Sequence, residues 1–430
     1  MRLLVIGGGA REHALVRALA RPGRRLWCIP GNPGIARLAT VPDGVGLDAD
    51  ALVRFAGDER IDLTVVGPEA PLAAGLADRF RAAGLRIVGP TRAAAALETS
   101  KVFAKAFMTR HGIPTADYRV CDSAEAARRT IDEAPFGFPV VVKADGLAAG
   151  KGVVVAADRA EAMAAVEEMM VARRFGDAGA RVIIERCLEG TELSFFVLCD
   201  GTAAVPIGSA QDHKRLLDGD RGPNTGGMGA FAPSPLVTPA LEARILREIV
   251  EPVVAGLARE RLDYRGVLYC GLMLTADGPR VLEFNVRLGD PEAQVVLPLV
   301  ETDLLELLIA VAEGRLASVR PAVGTAPHVG VVLASAGYPG AVDTGHPIEG
   351  LEAAERRDGV LVFHGGTALR DGRLVTGGGR VLTVVGRGAT FREAIDRAYG
   401  AVATIAFAGM HYRTDIGRRA LAEEAARPAV

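Results

Sequence analysis

Short apolar runs alternate with helical stretches through the first hundred residues, and the runs end in glycine turns. The runs cover 3–6, 26–29, 63–66 and 86–88. They lead into Gly7-Gly8-Gly9, Gly31-Asn32-Pro33-Gly34, Gly67-Pro68-Glu69 and Gly89-Pro90. Helices are predicted over 12–20, 48–59 and 72–83. Parallel strands need a crossover, and a helix supplies it. The pattern therefore predicts a parallel, doubly wound sheet. In such sheets the C-terminal ends of the strands line the ligand crevice.

The rest of the chain is too long for one further core, so two to four domains are expected from 430 residues. Residues 1–100 form the N-terminal α/β domain. Residues 101–325 form a central α+β region, with 115–190 as a small α+β lid. Residues 326–430 form a strand-rich C-terminal domain. A helix is predicted over 100–112, capped by Ser100 or Thr99 and stopped by Gly112. The lid has predicted strands at 140–143, 153–156 and 181–185 and a helix at 159–171. The central region adds strands at 193–198, 204–208, 268–274 and 280–284, with helices at 239–260 and 293–313. The C-terminal part has one clear helix, 391–403, and a tail past Arg418 expected to fray.

Composition removes several function classes. Net charge is −2 with 24% charged residues, which leaves no electrostatic footprint for nucleic acid or an anionic membrane. No apolar run is long enough to span a bilayer. The start, MRLLVIGGGAREHAL, reads as a strand entering a turn rather than a secretory leader. Cys28, Cys121, Cys187, Cys199 and Cys270 are dispersed, odd in number and without a CxxC pair. A disulfide framework is not expected, and a cytoplasmic setting fits.

The basic residues are distributed unevenly. Of fifty, only Lys101, Lys105, Lys143, Lys151 and Lys214 are lysines, and all lie between 101 and 214. Lysine is a compact, rotatable point charge and arginine a rigid fork. Keeping lysine in one glycine-rich segment points to an anion-handling site, with chance as the alternative.

Three segments carry the chemistry. In FPVVVKADGLAAGKGVVVA, two apolar runs flank a loop with Gly146, Gly150 and Gly152, and Lys143 and Lys151 bracket it. Backbone N–H groups in such a loop can converge on one anion. The spacing is not a Walker A loop, and the segment runs strand to strand. A solvated hairpin turn is the alternative. In RVLEFNVRLGDPEAQ, period-two alternation puts Val281, Glu283, Asn285 and Arg287 on one strand face, with Leu282, Phe284 and Val286 on the apolar side. A carboxylate and an amide oxygen two residues apart suit Mg²⁺, and Arg287 suits a carboxylate or phosphoryl oxygen. A polar face open to water is the alternative. SAQDHKRLLDGDRGPNTGGMGAF is a polar, glycine-rich loop of the kind that binds ligands, or an ordinary surface loop. His213 in it is a general base or a hydrogen-bonded structural residue.

Two further segments are weaker. VIERCLEGTELSF has a short connector between Glu185 and Glu192, a reasonable hinge for a planar base. VIGGGAREHAL places glycines before a helix, ready for an anion, but Glu12 stands where the dinucleotide fingerprint needs glycine.

Together these segments resemble the ATP-grasp ligases. VIGGGAREHAL, GPEAPL, SKVFAKAFM, VVKADGLAAGKGV, QDHKR, GPNTGGMGA and EFNVRLGDPEAQ are similar to the glycinamide ribonucleotide synthetases over nearly the whole chain. The resemblance implies an ATP-grasp fold and a purine-biosynthetic ligation of glycine to 5-phospho-β-D-ribosylamine. It implies ATP contacts from Lys105, Lys143, Gly146, Gly150, Lys151, Gly152, Glu185, Leu188 and Glu192. Lys105 and Lys143 would hold phosphates, Glu185 and backbone near Leu188 the adenine, and Glu192 the ribose. Glu283 and Asn285 would bind Mg²⁺ or Mn²⁺. Asp212, Lys214, Arg287 and Asp290 would line the glycine and phosphoryl-transfer site, with Asp212, Lys214 and Arg287 catalytic. Gly8 and Gly9 would face the ribosylamine phosphate. A cytoplasmic monomer or weak dimer acting on small molecules is expected. Many ATP-grasp members carry an extra acidic metal ligand on the preceding strand, here the apolar YCGLMLT, so the number of metal ions stays open. The alternatives are another ATP-grasp carboxylate-activating or carboxylating enzyme, and a nucleotide-binding scaffold without catalysis.

Overall fold

A computed structural model describes residues 1–147 and 152–425. Gly150 and Lys151, expected in the ATP loop, lie outside the described residues. The N-terminal sheet is parallel, in the order Arg25–Pro30, Arg2–Gly7, Leu63–Val66, Ile87–Val88. The chain leaves the strand Arg2–Gly7 first to one side and later to the other, so a crevice opens at its C-terminal end. Gly7 has φ +125°, and a Cβ there would stand 2.5 Å from Glu12 Cγ. Only glycine lets this turn close onto the helix Ala10–Leu19.

Several predicted helices are divided. The one expected over 72–83 is two, Glu69–Ala73 and Leu76–Ala82, parted at Gly75 with φ +86°. The one expected over 293–313 ends at Val296, continues as a tight turn at Leu297–Leu299, and restarts at Leu304–Glu313 under an Asp303 cap. Pro298 in that tight turn has no N–H to continue an α-helical ladder. The helix starting at Pro239 runs on but widens at Leu246–Val250 before Pro252, which cannot donate to the carbonyl of Glu248. Sequence reading missed the helices Arg92–Thr99 and Ala124–Glu133 and the strand Tyr118–Cys121.

The centre of the molecule is an eight-stranded antiparallel sheet. Its order is Gly278–Asn285, Gly266–Thr275, Thr191–Cys199, Ala204–Asp212, Gly229–Ala232, His328–Ala334, Arg380–Arg387, Val360–His364. The boundary expected at 325 therefore falls inside one continuous sheet. The short strand Gly229–Ala232 pairs with His328–Ala334 and joins the two parts. Two apolar clusters join the N-terminal and central parts: Leu4, Phe80 and Phe107 meet Phe195 and Phe284, and Val16 meets Phe196 and Leu307. Of the tail expected to fray, Arg418–Ala425 is a helix packed through Ala420 and Leu421 on the core around Phe231 and Phe391, and residues 426–430 lie outside the described residues.

The lid is a four-stranded antiparallel sheet, Tyr118–Cys121, Val182–Arg186, Val140–Ala144, Val153–Ala156. Its helices bury Ala127, Ile131, Ala162 and Val166 against Val140, Val142, Val182 and Ile184. Alternation then leaves Lys143 and Glu185 on the opposite face. The lid is tied to the central sheet where Val281 N donates to Pro114 O (2.8 Å) and Thr115 Oγ1 donates to Val281 O (2.7 Å). This tether accompanies a correction. Val281 was expected beside Glu283, yet it is buried in the cluster holding Phe284 and Val286. The register slips between Gly271 and Leu272, so that Leu272 pairs with Val281 while Gly271 pairs with Glu283. Leu282 is the extra residue of a bulge, and the alternation breaks there.

Candidate active site

Lys105, Lys143 and Glu185 come from a helix and two neighbouring lid strands. The helix Lys101–Arg110 starts at Ser100, whose hydroxyl accepts from Phe103 N. In the lid, Glu185 pairs across from Val141, which brings Lys143 and Glu185 together. All three side chains are buried. Lys105 Nζ lies 2.5 Å from Glu185 Oε2, and Lys143 Nζ contacts Oε1. Lys105 also donates to Thr115 Oγ1 (2.8 Å), and Lys143 to the bulge carbonyl of Leu282 (3.3 Å). Burial works to raise the Glu185 carboxyl, but Lys143 and Lys105 outweigh it and hold it below the usual carboxylate range. Burial, helped by Lys143, lowers the Lys105 ammonium against the pull of Glu185. Two ammonium groups on one carboxylate leave a net positive nest. Glu185, expected on adenine, is the internal counter-ion here.

The glycine loop enters next to this nest. Gly146 has φ +136°, and its carbonyl accepts from Lys101 Nζ (2.9 Å). Gly152 O accepts from Ala144 N (2.8 Å), closing the loop's base. Leu188 is half-buried in the connector between the strands Val182–Arg186 and Thr191–Cys199.

A second group sits where the strands Thr191–Cys199, Gly266–Thr275 and Gly278–Asn285 run side by side. Glu192 pairs with Met273 and Glu283 with Gly271. Glu283 has no hydrogen-bond or ion-pair partner among the described residues. Burial would raise its carboxyl, but Lys214, Lys143, Lys101 and Arg287 hold it low. Lys214 Nζ bonds Glu192 Oε2 at 2.7 Å. Burial works to lower the Lys214 ammonium, yet Asp212 and Glu192 raise it well above its ordinary value. Asp212 is pushed up to about 7, chiefly by burial, against Lys214 and with help from Glu292, Glu192 and Glu283. No cluster of three or more metal-binding side chains occurs among the described residues. Glu283 and Asn285 offer two oxygen donors, a number compatible with Mg²⁺ that keeps water and phosphate ligands, and Asn285 Oδ1 also accepts from Arg287 Nη2.

Arg287 leads to a third group. It contacts Glu98 (2.8 Å), Glu69 (3.2 Å), Asn285 Oδ1 (3.2 Å) and Leu288 O (3.1 Å). Burial raises the Glu98 carboxyl in spite of Arg287, whereas Arg287 and Arg11 hold Glu69 low against burial. Arg11 bonds Glu12 at 2.6 Å and reaches Leu288 O at 3.3 Å. Glu12 in turn accepts from Gly9 N (2.6 Å), and Asn32 Nδ2 donates to Gly8 O (2.9 Å). A Cβ on Gly9 would stand 3.7 Å from Asp290 Oδ2. The expected substrate residues Gly9, Arg287 and Asp290 therefore share one end of the crevice, with Gly8 beside them.

His213 stands apart from this assembly. Its ring is buried, both nitrogens lack a partner among the described residues, and burial pushes it down to about 4. It lines a separate cavity of about 380 Å³ with Asp220, Arg413 and Asp415. Sequence reasoning missed Arg11, Glu69 and Glu98. Arg11 and Glu69 lie inside the quoted runs AREHAL and GPEAPL, so the signal was present. Glu98 lies on the unpredicted helix.

Models of the phosphoribosylglycinamide synthetase N domain, ATP-grasp (A) domain and C domain match residues 1–98, 99–293 and 328–419 in turn. The chain belongs to the phosphoribosylglycinamide synthetase family. The phosphoribosylamine–glycine ligase of Ralstonia nicotianae is 52% identical over 427 residues, 98% of this chain and 100% of that relative. That of Brucella melitensis is 50% identical, covering 99% of this chain and 100% of the relative. The crystal structure of phosphoribosylamine–glycine ligase from Thermotoga maritima aligns with a TM-score of 0.86 at 34% identity, over 96% of this chain and 100% of that one. The biotin carboxylase domain of Hydrogenobacter thermophilus 2-oxoglutarate carboxylase, solved with MgADP and bicarbonate, aligns at 0.72 and 18% identity over 95% and 91%. That likeness concerns the ATP-grasp fold alone, so the carboxylating alternative is not favoured. The family places this chain among the ATP-dependent ligases of purine biosynthesis.

Proposed function

We propose that this chain joins glycine to 5-phospho-β-D-ribosylamine at the expense of ATP, giving the ribosyl glycinamide, ADP and phosphate. One glycine carboxylate oxygen attacks the γ-phosphorus and ADP leaves. The resulting glycyl phosphate has a good leaving group, which a free carboxylate lacks. The ribosylamine nitrogen attacks the acyl carbon, loses a proton, and phosphate departs. Positioning and electrostatics supply most of the rate of phosphoryl transfer.

In this reading Lys105 and Lys143 meet the phosphates, and the loop 146–152, including Gly150 and Lys151, covers them. Glu185 and backbone near Leu188 meet adenine, and Glu192 the ribose. Glu283 and Asn285 hold Mg²⁺ or Mn²⁺, which neutralises phosphate charge when bound. Arg287, Lys214, Asp212 and Asp290 line the glycine and transfer site, and Gly8 and Gly9 the ribosylamine side. Residues 1–100, 101–325 and 326–430 serve as substrate, ATP-grasp and C-terminal units. The enzyme is read as a cytoplasmic monomer or weak dimer; no helix of the described residues is long and apolar enough to cross a membrane.

The observation that carries the reading is the unpartnered Glu283 carboxylate set among Lys143, Lys214 and Arg287. A phosphate-release assay with ATP, ribosylamine and a panel of amino acids tests it. Release that depends on glycine and yields glycinamide product is expected. Release driven by bicarbonate, or by no carboxylate, contradicts it. Labelled oxygen from the glycine carboxylate must appear in phosphate, and its absence rejects the acyl phosphate.

A further inference from the structure

Arg380 opens the strand Arg380–Arg387, far in sequence from every residue assigned above. Its Nη1 donates to Asp290 O (2.5 Å) and Gly226 O (2.6 Å) and lies 3.4 Å from Asp290 Oδ1. These carbonyls belong to two turns, 224–229 and 288–292, that come from separate strands. The turns touch: a Cβ on Gly227 would collide with Pro291 Cδ. Gly226 N donates to Tyr338 Oη (2.9 Å), so both polar groups of Gly226 are held from the C-terminal part. Gln294 Nε2 takes Asp290 Oδ1 at 2.8 Å, which leaves Oδ2 toward Gly9.

The apolar core of the C-terminal part is built around Val331, Val384 and Phe391. The Arg380 guanidinium spans two turns that no other single side chain bridges among the described hydrogen bonds. A planar fork can satisfy two acceptors in fixed geometry, and an ammonium holds them less rigidly. The clamped turns border Gly9 and Asp290, the end of the crevice where the amine would enter. The nest of Lys105, Lys143 and Glu185 lies outside these contacts.

We infer that Arg380 is a positioning residue for the second half-reaction: it fixes the 224–229 and 288–292 turns so that the acyl phosphate meets the amine before water. This rests on the ligase reading above. Glycine activation draws mainly on the lysine nest, Glu283, Lys214 and Arg287, none of which Arg380 contacts among the described hydrogen bonds, so it is less sensitive to Arg380 than amine capture is. Amine capture needs the clamped turns.

The test uses the full chain with Arg380→Gln and Arg380→Lys, with ribosylamine formed in situ from ribose 5-phosphate and ammonia. Phosphate and glycinamide product are measured together. Arg380→Gln is expected to keep glycine-dependent phosphate release while product formation falls about a hundredfold, the scale of a small misplacement of reacting groups. KM for the ribosylamine should rise while KM for ATP stays unchanged, and Arg380→Lys should recover part of the coupling. Equal losses in phosphate and product, one for one with unchanged ribosylamine KM, would overturn the inference. If Arg380→Gln does not fold, Tyr338→Phe decides. Phosphate in excess of product supports the clamp, and full coupling overturns it. The wild-type control separates the two readings: phosphate without glycinamide product in the unmutated chain sinks the ligase reading itself.

Discussion

The two ends of the crevice handle charge in opposite ways. At the lid, Lys105 and Lys143 share the single carboxylate of Glu185, so cations are in excess. At the other end, Arg287 and Arg11 face Glu12, Glu69 and Glu98, so acids outnumber cations and the Arg287 fork is occupied on every nitrogen. An ammonium can rotate from one oxygen to another, whereas a guanidinium held by several acceptors is fixed. In the proposed reading the first region exchanges its internal anion for an arriving one, and the second keeps its shape while a reaction passes through it. Among the described lysines, Lys101, Lys105 and Lys143 lie on the lid side, and Lys214 sits with Glu192 and Asp212.

The comparison can be broken by mutation. Lys143→Ala should lower turnover about a hundredfold or more, the scale of losing one preorganised donor to a developing charge. Near-normal phosphate release would remove Lys143 from the phosphates. Arg287→Lys keeps the charge and loses the fork. It should cost about tenfold in kcat/KM, equivalent to one charged hydrogen bond of roughly 1.5 kcal/mol. Unaltered kinetics would show that fixed geometry is not what this end contributes. Glu283→Gln should raise the Mg²⁺ concentration for half-maximal rate about tenfold, and an unchanged titration would refute the ligand assignment.

A separate effect concerns stability rather than turnover. Asn32 Nδ2 bonds both Gly8 O and His364 O, and His364 N donates to His13 Nδ1 at 2.9 Å. Burial, helped by His364, Arg17 and Arg37, pushes His13 down to about 3, and burial pushes His364 down to about 4 against the pull of Glu355, both from 6.5. Both are neutral when folded, and the unfolded chain takes up protons below pH 6.5. Their contribution is full above that pH and is lost as pH falls toward 4. Stability should drop between pH 6.5 and 5 by roughly 3 kcal/mol, read from denaturation midpoints. His364→Gln should flatten the fall, and an equally steep curve in that variant would clear the pair of responsibility.

What the sequence could and could not reveal follows from the range of each signal. The parallel sheet was legible because each strand, turn and helix is local. Glu283 and Asn285 were legible by alternation, but Val281 was misplaced because a bulge at Leu282 depends on the neighbouring strand. The pairing of Lys143 with Glu185 could not be read, since it arises from the antiparallel register of two lid strands. Arg287 was visible within its motif, but its anchor Glu98 comes from a helix of weak pattern. The shared sheet across residue 325 was hidden because GAFA is too short to announce a strand.

The most direct test is a crystal structure of this chain with a non-hydrolysable ATP analogue and Mg²⁺. The account predicts Lys105 and Lys143 released from Glu185 onto phosphate oxygens, with Glu283 and Asn285 as ligands of the bound metal. Nucleotide bound with Lys143 still on Glu185, or with Glu283 facing a different cavity, would contradict it.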